Sequence, residues 1–383
     1  MITVAEVWLW GRVIGAVAYE EGNPAADFQY DPAFADSGIE VAPLTMPLGR
    51  GVFRFPDLSW RSFHGLPGLL ADSLPDSFGN AVINAWLAAE GRPSDSLNPV
   101  ERLCYTGIRG MGALEFAPMI GPKSRVATEI HIDRLVDLAA DVLAHRDRFE
   151  VSFDDKEKEE ALRDILRVST SAGGARAKAI IAWNPDAGEV RSGQVKAGEG
   201  FGYWVLKFDG VSGNRDKELA DPMGYGAIEY AYHKMAVDAG IEMAECRLLE
   251  ENGRRHFMTR RFDRTDDGNK RHMQSLGAMA HFDYNEAGMY SYEQALEVIR
   301  RLELGMDAIE AQFRRMVFNV IGRNQDDHVK NIAFLMDKSG NWTLAPAFDV
   351  TYAFQPAGLW TSRHQLSICL LYTSDAADDF AVV

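Results

Sequence analysis

Apolar residues recur at strand spacing over residues 2 to 19, rich in Val, Trp and Ile and broken by Gly11 and Gly15, which predicts a hairpin of short strands. The pattern changes between Arg61 and Arg92. Pro and Gly punctuate GLPGLLADSLPDSFG, and Ala81, Val82, Ala85, Trp86 and Ala89 then follow at helical spacing, so a loop feeds a helix. Beyond the Gly-rich stretch 107 to 112, Ile132, Leu135, Val136, Leu138, Ala139 and Leu143 predict a second helix, with a charged one from about Lys156 to Arg167. Residues Val168 to Phe262 give loop, strand, turn, strand, helix and two more strands. AKAIIAW and YWVLKF are the first two strands, separated by the NPDAGE turn, and CRLLEENGRRHFMTRRF is the closing hairpin. The helix between them, 224 to 239, places Tyr225, Ile228, Tyr232, Met235, Ala236 and Ala239 on one face and stops at Gly240. From about 291 the period is helical again: Tyr292, Ala295, Leu296 and Ile299, then Ile309, Phe313, Met316, Val317, Val320 and Ile321. Units at 1–120, 121–262 and 263–368 are expected.

Composition narrows the function. Forty basic against fifty-six acidic side chains give a net charge of -16, which repels phosphate backbones; contact with DNA is expected only indirectly, through a basic partner. No run of about 18 apolar residues is present, and acidic Glu6 stands where a signal peptide carries basic residues, so a cytoplasmic protein without membrane contact is expected. Cys104, Cys246 and Cys369 form no CxxC pair, which argues against a disulfide framework or a zinc site.

The strongest chemical signal is GRNQDDHVKN, residues 322 to 331, at the end of the last apolar helix, followed by the strand IAFLM and by APAFD ending at Asp349. It contains D-x-x-x-x-N. Protein kinases use that spacing because one carboxylate must orient the attacking hydroxyl while an Asn a short loop away holds magnesium on the phosphates. A loop that merely caps a helix yields the same residues by accident. Asp326 is the candidate base by spacing, with Asp327 its competitor. Asn331 and Asp349 are the candidate magnesium ligands, brought together by strands 332 to 336 and 342 to 344. His328 is expected to brace the loop by a hydrogen bond.

Upstream, Ser171, Ala172, Gly173, Gly174 and Ala175 precede a strand, where small residues let backbone N–H groups approach phosphate; Arg176 or Lys178 would add charge. The stretch is neither GxGxxG nor Walker A. Lys207 interrupts the apolar strand YWVLKF, as a lysine must to reach ATP phosphates from inside a cleft, unless it lies on an edge. Glu229 stands on the next helix, placed either to pair with Lys207 or to face solvent. Arg260 and Phe262 fall at the hinge between the lobes, where backbone groups meet adenine, while Arg261, Asp263 and Arg264 suit structural ion pairs.

Taken together these stretches resemble the HipA-type serine/threonine kinases, toxin halves of bacterial toxin–antitoxin pairs, over nearly the whole chain. GLPGLLADSLPDSFGN is similar to the family's N-terminal coupling region, TSAGGARAK to its phosphate loop, VLKF to its ATP lysine, RRFDR to its hinge, and NQDDHVKN with APAFDVTYAF to its catalytic and metal loops. The resemblance implies an α+β, two-lobed protein-kinase-like fold with a mixed, β-rich coupling domain and a mainly helical C-lobe. It implies ATP and Mg2+ as cofactors, with Asp326 as base, Asn331 and Asp349 on magnesium, and Ser171 to Ala175, Lys207, Arg260, Phe262, His328 and Lys330 around ATP. Ser171 falls where members autophosphorylate; a phosphate there would add about two negative charges to the anion-binding loop. The implied partners are a small helix-turn-helix antitoxin that contacts operator DNA and a protein substrate with a Ser/Thr acceptor, an aminoacyl-tRNA synthetase being the family's pattern.

The family pattern breaks after Ile368. Codons for Cys369 to Asp379 can be written as a sequencing-library transposase adapter, so 369–379, or the whole stretch to 383, is expected to be read-through rather than native sequence, with the C-lobe cut short. Resequencing the locus decides this. Two other readings compete: a small-molecule phosphotransferase, which leaves residues 1 to 120 without a purpose, and a non-catalytic antitoxin or DNA-binding partner with a vestigial nucleotide site.

Overall fold

Two residues with positive φ, Trp10 (49°) and Gly11 (80°), close the first hairpin of the computed structural model, joining β1 (Ile2–Leu9) to β2 (Arg12–Glu20) as the mirror-image turn that strand twist favours. Residues 2–94, 96–120, 129–145, 164–166, 168, 176–211, 223–358 and 360–368 are described. The expected phosphate loop Ser171 to Ala175, most of the expected charged helix and the tail 369–383 therefore lie outside the described residues. Gly15, expected to break the hairpin, lies inside β2. A Cβ there would sit 2.4 Å from the Gln29 carbonyl and 2.8 Å from the Phe28 ring, so glycine allows close packing rather than a turn.

The N-terminal sheet runs β4-β3-β2-β1-β5, with β3 (Asp27–Tyr30), β4 (Val52–Phe53) and β5 (Leu114–Ala117) all antiparallel to their neighbours. Its inner face buries Val7, Ile14, Val17, Phe28 and Phe116 against Leu69, Leu70 and Leu103. The Ser77–Ala89 helix begins where the Asp76 carboxylate accepts the Gly79 N–H at 2.7 Å. A further helix, Ile132–His145, lays Leu135, Val136, Leu138 and Ala139 into a core shared with Val82, Ile181, Trp204 and Leu206.

The second sheet, β7-β6-β8-β10-β9, is antiparallel throughout: β6 (Lys178–Asn184), β7 (Glu189–Ser192), β8 (Gly202–Lys207), β9 (Cys246–Glu251) and β10 (Arg254–Arg260). The Asn184 side chain accepts the N–H groups of Asp186 and Ala187, both at 3.1 Å, and turns the chain into β7, a short edge strand absent from the sequence expectation. The Tyr225–Asp238 helix packs across β9 and β10. Its expected apolar face is buried only in part: Ala236 is buried, but so are Gly226 and Glu229, while Ile228 (42%) and Met235 (50%) are exposed. Gly226 sets the approach, since a Cβ there would meet the Arg255 carbonyl at 2.5 Å.

The last unit holds β11 (His272–Ser275), β13 (Ala333–Met336) and β14 (Trp342–Leu344), plus the short parallel pair β12 (Tyr290–Ser291) and β15 (Leu366–Ser367). The Tyr292–Arg301 helix starts with a Ser291/Gln294 capping box and buries Tyr292, Ala295, Val298 and Ile299. The Gly305–Ile321 helix differs from expectation: it buries Gln312 and Arg315, while Phe313 (53%) and Ile321 (79%) are exposed. The N-terminal unit is fastened to this one by Gln274 donating to the Val41 carbonyl (2.5 Å), Trp342 to the Glu40 carbonyl (3.0 Å), and Ser275 N–H and Oγ to Asp72 (2.6 and 2.9 Å). The fold is α+β, with a β-rich N-terminal unit packed against the rest. Among the described residues no helix is long and apolar enough to cross a membrane.

Candidate active site

The Gly305–Ile321 helix ends at Gly322, and Arg323 (φ 51°) turns the chain into the loop that carries Asp326 and Asp327. The two aspartates have different surroundings. Asp327 is 3% exposed; its carboxylate accepts the Tyr292 hydroxyl at 2.6 Å and the Gln365 N–H at 2.8 Å, and His364 Nδ1 lies 2.8 Å away. Such a carboxylate is an anchor for the loop. Asp326 is more open and takes the Trp360 indole N–H on Oδ1 at 2.7 Å. Asn331 Nδ2 donates back to the Asp326 carbonyl at 2.7 Å, which closes the loop. His328 Nδ1 accepts the Lys330 N–H at 3.2 Å at the start of the short 3-10 turn Val329–Asn331, so the ring braces the loop; its Nε2 is 3.9 Å from Asp326 Oδ1. Lys330 Nζ stands 4.3 Å over the Tyr284 ring.

Asp349 follows the β13–β14 hairpin and has φ of 56°, a left-handed backbone that costs a non-glycine residue energy and is held by its surroundings. Its carboxylate meets Lys207, at the end of β8, and Lys207 Nζ also binds Glu229 Oε1 at 2.6 Å. Burial opposes the charge on Lys207 most strongly, but Asp349 and Glu229 together outweigh it and raise its pKa above the ordinary lysine value. Glu229, 1% exposed, also has Arg176 at 3.8 Å, and that guanidinium lies 3.4 Å over the Tyr225 ring. Lys178, the first residue of β6, is buried against Asp76 at 3.4 Å. Burial lowers the pKa of Lys178 and raises that of Asp76, so desolvation weighs more on each than their mutual attraction.

Lys207, Glu229 and Asp349 thus come together directly, and Asp326, His328, Lys330 and Asn331 share one loop. Phe262 packs on Phe348, ring centroids 5.4 Å apart, directly before Asp349. Arg260 instead points outward to Glu245 (3.1 Å) and Asp266 (2.7 Å), and its backbone N–H donates to the Glu245 carbonyl at 2.8 Å. Arg261, Asp263 and Arg264 form a buried cluster that also binds the backbone of Gly110 and Gly112. Burial would raise the Asp263 pKa, but the two guanidiniums and the Gly112 N–H hold it well below the usual carboxylate range. Sequence reasoning missed Asp76, Tyr292, Trp360 and His364. Asp76 carried one usable signal, its capping position ahead of a helix; the others lie far from the motifs they support. Among the described residues no three His, Cys, Asp or Glu side chains gather as a metal site.

A family model described as the HipA N-terminal domain matches residues 5–117, and one described as the HipA-like C-terminal domain matches 170–379, past the Ile368 at which the sequence pattern was expected to break. Among solved structures the chain is similar to one titled as the Shewanella oneidensis MR-1 toxin–antitoxin system HipA, HipB and operator DNA complex, with TM-score 0.64 and 16% identity over 95% of this chain and 79% of that one. At that identity the likeness speaks to the fold alone. Helicobacter pylori proinflammatory kinase CtkA is also similar, at TM-score 0.29 and 15% identity over 39% of this chain and 50% of that one, too slight a likeness to bear on the site. No curated protein matches the chain.

Proposed function

Because the chain belongs to the HipA family, we propose that it is an ATP-dependent serine/threonine protein kinase and the toxin partner of a small DNA-binding antitoxin, with a protein as its phosphate acceptor. The observation that carries the reading is Lys207 held between Glu229 and Asp349: a buried ammonium fixed by one carboxylate beside a second that can serve a metal.

Asn331 and Asp349 would hold magnesium. Asn331 spends its amide N–H on the Asp326 carbonyl, which turns its oxygen the other way, and an amide oxygen with a carboxylate suits an ion that keeps water and phosphate oxygens as its remaining ligands. Bound magnesium would supply charge neutralisation on the phosphates. Lys207, positioned by Glu229, would exchange its contact with Asp349 for phosphate oxygens. Asp326 would accept the proton of a Ser or Thr hydroxyl, on a loop fixed by Asp327, His328 and Asn331. Lys330 would add, from that loop, a positive charge beside the one Lys207 brings from β8. Residues Ser171 to Ala175 would cover the phosphates, with Ser171 the autophosphorylation site. The pairing with an antitoxin and operator DNA draws on the Shewanella complex and on the net charge of -16, which favours indirect contact with DNA.

Incubation of the full chain with Mg·ATP and mapping of the phosphosites tests the reading. Transfer to Ser171 or to protein Ser/Thr is expected; ATP binding with no transfer to any protein, or transfer only to small metabolites, would overturn it.

A further inference from the structure

Trp360 lies beyond every motif of the catalytic centre, on the segment that follows Asp349, yet its indole N–H reaches Asp326 Oδ1 at 2.7 Å. The segment is tied to the same loop at neighbouring points. His364 and the Gln365 N–H both engage Asp327, and Gln365 Nε2 donates to the Trp360 carbonyl at 2.5 Å. Its far end is held by the parallel pairing of Tyr290 with Leu366 and Ser291 with Ser367. Residues 360 to 367 therefore form a strap gripping both aspartates.

An indole N–H is a donor only, so the bond has one direction and no alternative arrangement, unlike a hydroxyl or amide at the same place. It fixes how the carboxylate is turned. A carboxylate has about four lone-pair positions, so an acceptor hydroxyl can bond beside the indole. The rings of His328 and Trp360, centroids 6.4 Å apart, both adjoin that carboxylate.

We propose that Trp360 is a positioning residue for phosphoryl transfer, its indole N–H holding the Asp326 carboxylate turned toward the acceptor hydroxyl. The proposal rests on Asp326 being the base, and its test separates the two. Full-length wild type, Trp360→Phe, Trp360→His and Asp326→Asn are compared for transfer from Mg·ATP to the chain itself. In parallel, the Trp360 indole N–H resonance is followed by NMR in wild type and Asp326→Ala.

Trp360→Phe is expected to lower kcat about tenfold to a hundredfold with KM for ATP within about twofold, because misplacing a reacting group costs rate more than binding. Trp360→His, which restores a ring N–H, is expected to regain much of the loss, and the indole resonance is expected to move upfield in Asp326→Ala. Wild-type kcat in Trp360→Phe beside an inactive Asp326→Asn would overturn the Trp360 role alone. Wild-type transfer in Asp326→Asn would remove the base assignment itself. Should Trp360→Phe fail to fold, the resonance decides: an unchanged shift in Asp326→Ala overturns the proposal.

Discussion

At Lys207 two carboxylates share one ammonium, and the arrangement predicts unequal effects from removing each. Lys207→Met takes away the phosphate contact and leaves Glu229 buried without its nearest cation; phosphoryl transfer should fall at least a hundredfold and ATP affinity should drop in calorimetry. Asp349→Asn should spare the fold and lose transfer, with the loss eased by raised magnesium; a variant as active as wild type at every magnesium concentration would remove Asp349 from the site. Lys207, Asp326, Asn331 and Asp349 were candidates because their chemistry fixes their spacing, and the structure places Lys207 on Asp349 and Asn331 on the loop of Asp326. Trp360 was not a candidate, because it lies 34 residues past the carboxylate it holds. Glu229 was visible only as an alternative, since a helical glutamate is ordinarily solvated and burial alone shows that this one is not.

Elements were readable where their two faces differ. The Tyr292–Arg301 helix stands where its one apolar face sets it, and the β13–β14 hairpin, buried on both faces at β13, where an apolar run and the DKSGN turn set it. β7 was missed because Glu189–Ser192 lies at a sheet edge with no apolar alternation. The Tyr225–Asp238 helix was assigned a buried face that is right at Ala236 but misses Gly226 and Glu229. Apolar periodicity assumes that a helix turns its oily side inward, but this helix turns glycine and glutamate toward the sheet, where Glu229 must reach Lys207. Gly226→Ala tests this: with the Arg255 carbonyl 2.5 Å from the new Cβ, the helix must move outward. About 1–3 kcal/mol of stability should be lost in chemical denaturation, and transfer should fall more than a surface substitution on the same helix allows.

Across the whole molecule, the last unit and the N-terminal unit meet at a junction that acid should loosen. His272 contacts the Val41 carbonyl and the Trp342 ring, and burial lowers its pKa to about 4; His281 accepts the Gly68 N–H at 3.0 Å, and burial likewise lowers it to about 4. Both folded values lie below the unfolded value of about 6.5, so the unfolded chain binds more protons in the window between. Stability is therefore whole above about pH 6.5 and falls as pH drops toward 4, on the order of 3 kcal/mol for each histidine. Thermal melts from pH 7.5 to 4 should show that decline, and His281→Gln should flatten it; a Tm constant over the range would contradict the junction's role. A separate contact brings Asp76 to Lys178, so the N-terminal unit also reaches the second sheet. The most direct test of the whole account is phosphoryl transfer from Mg·ATP by Asp326→Asn: a fall of about a hundredfold to ten-thousandfold with ATP still bound is predicted, and transfer at the wild-type rate would contradict it.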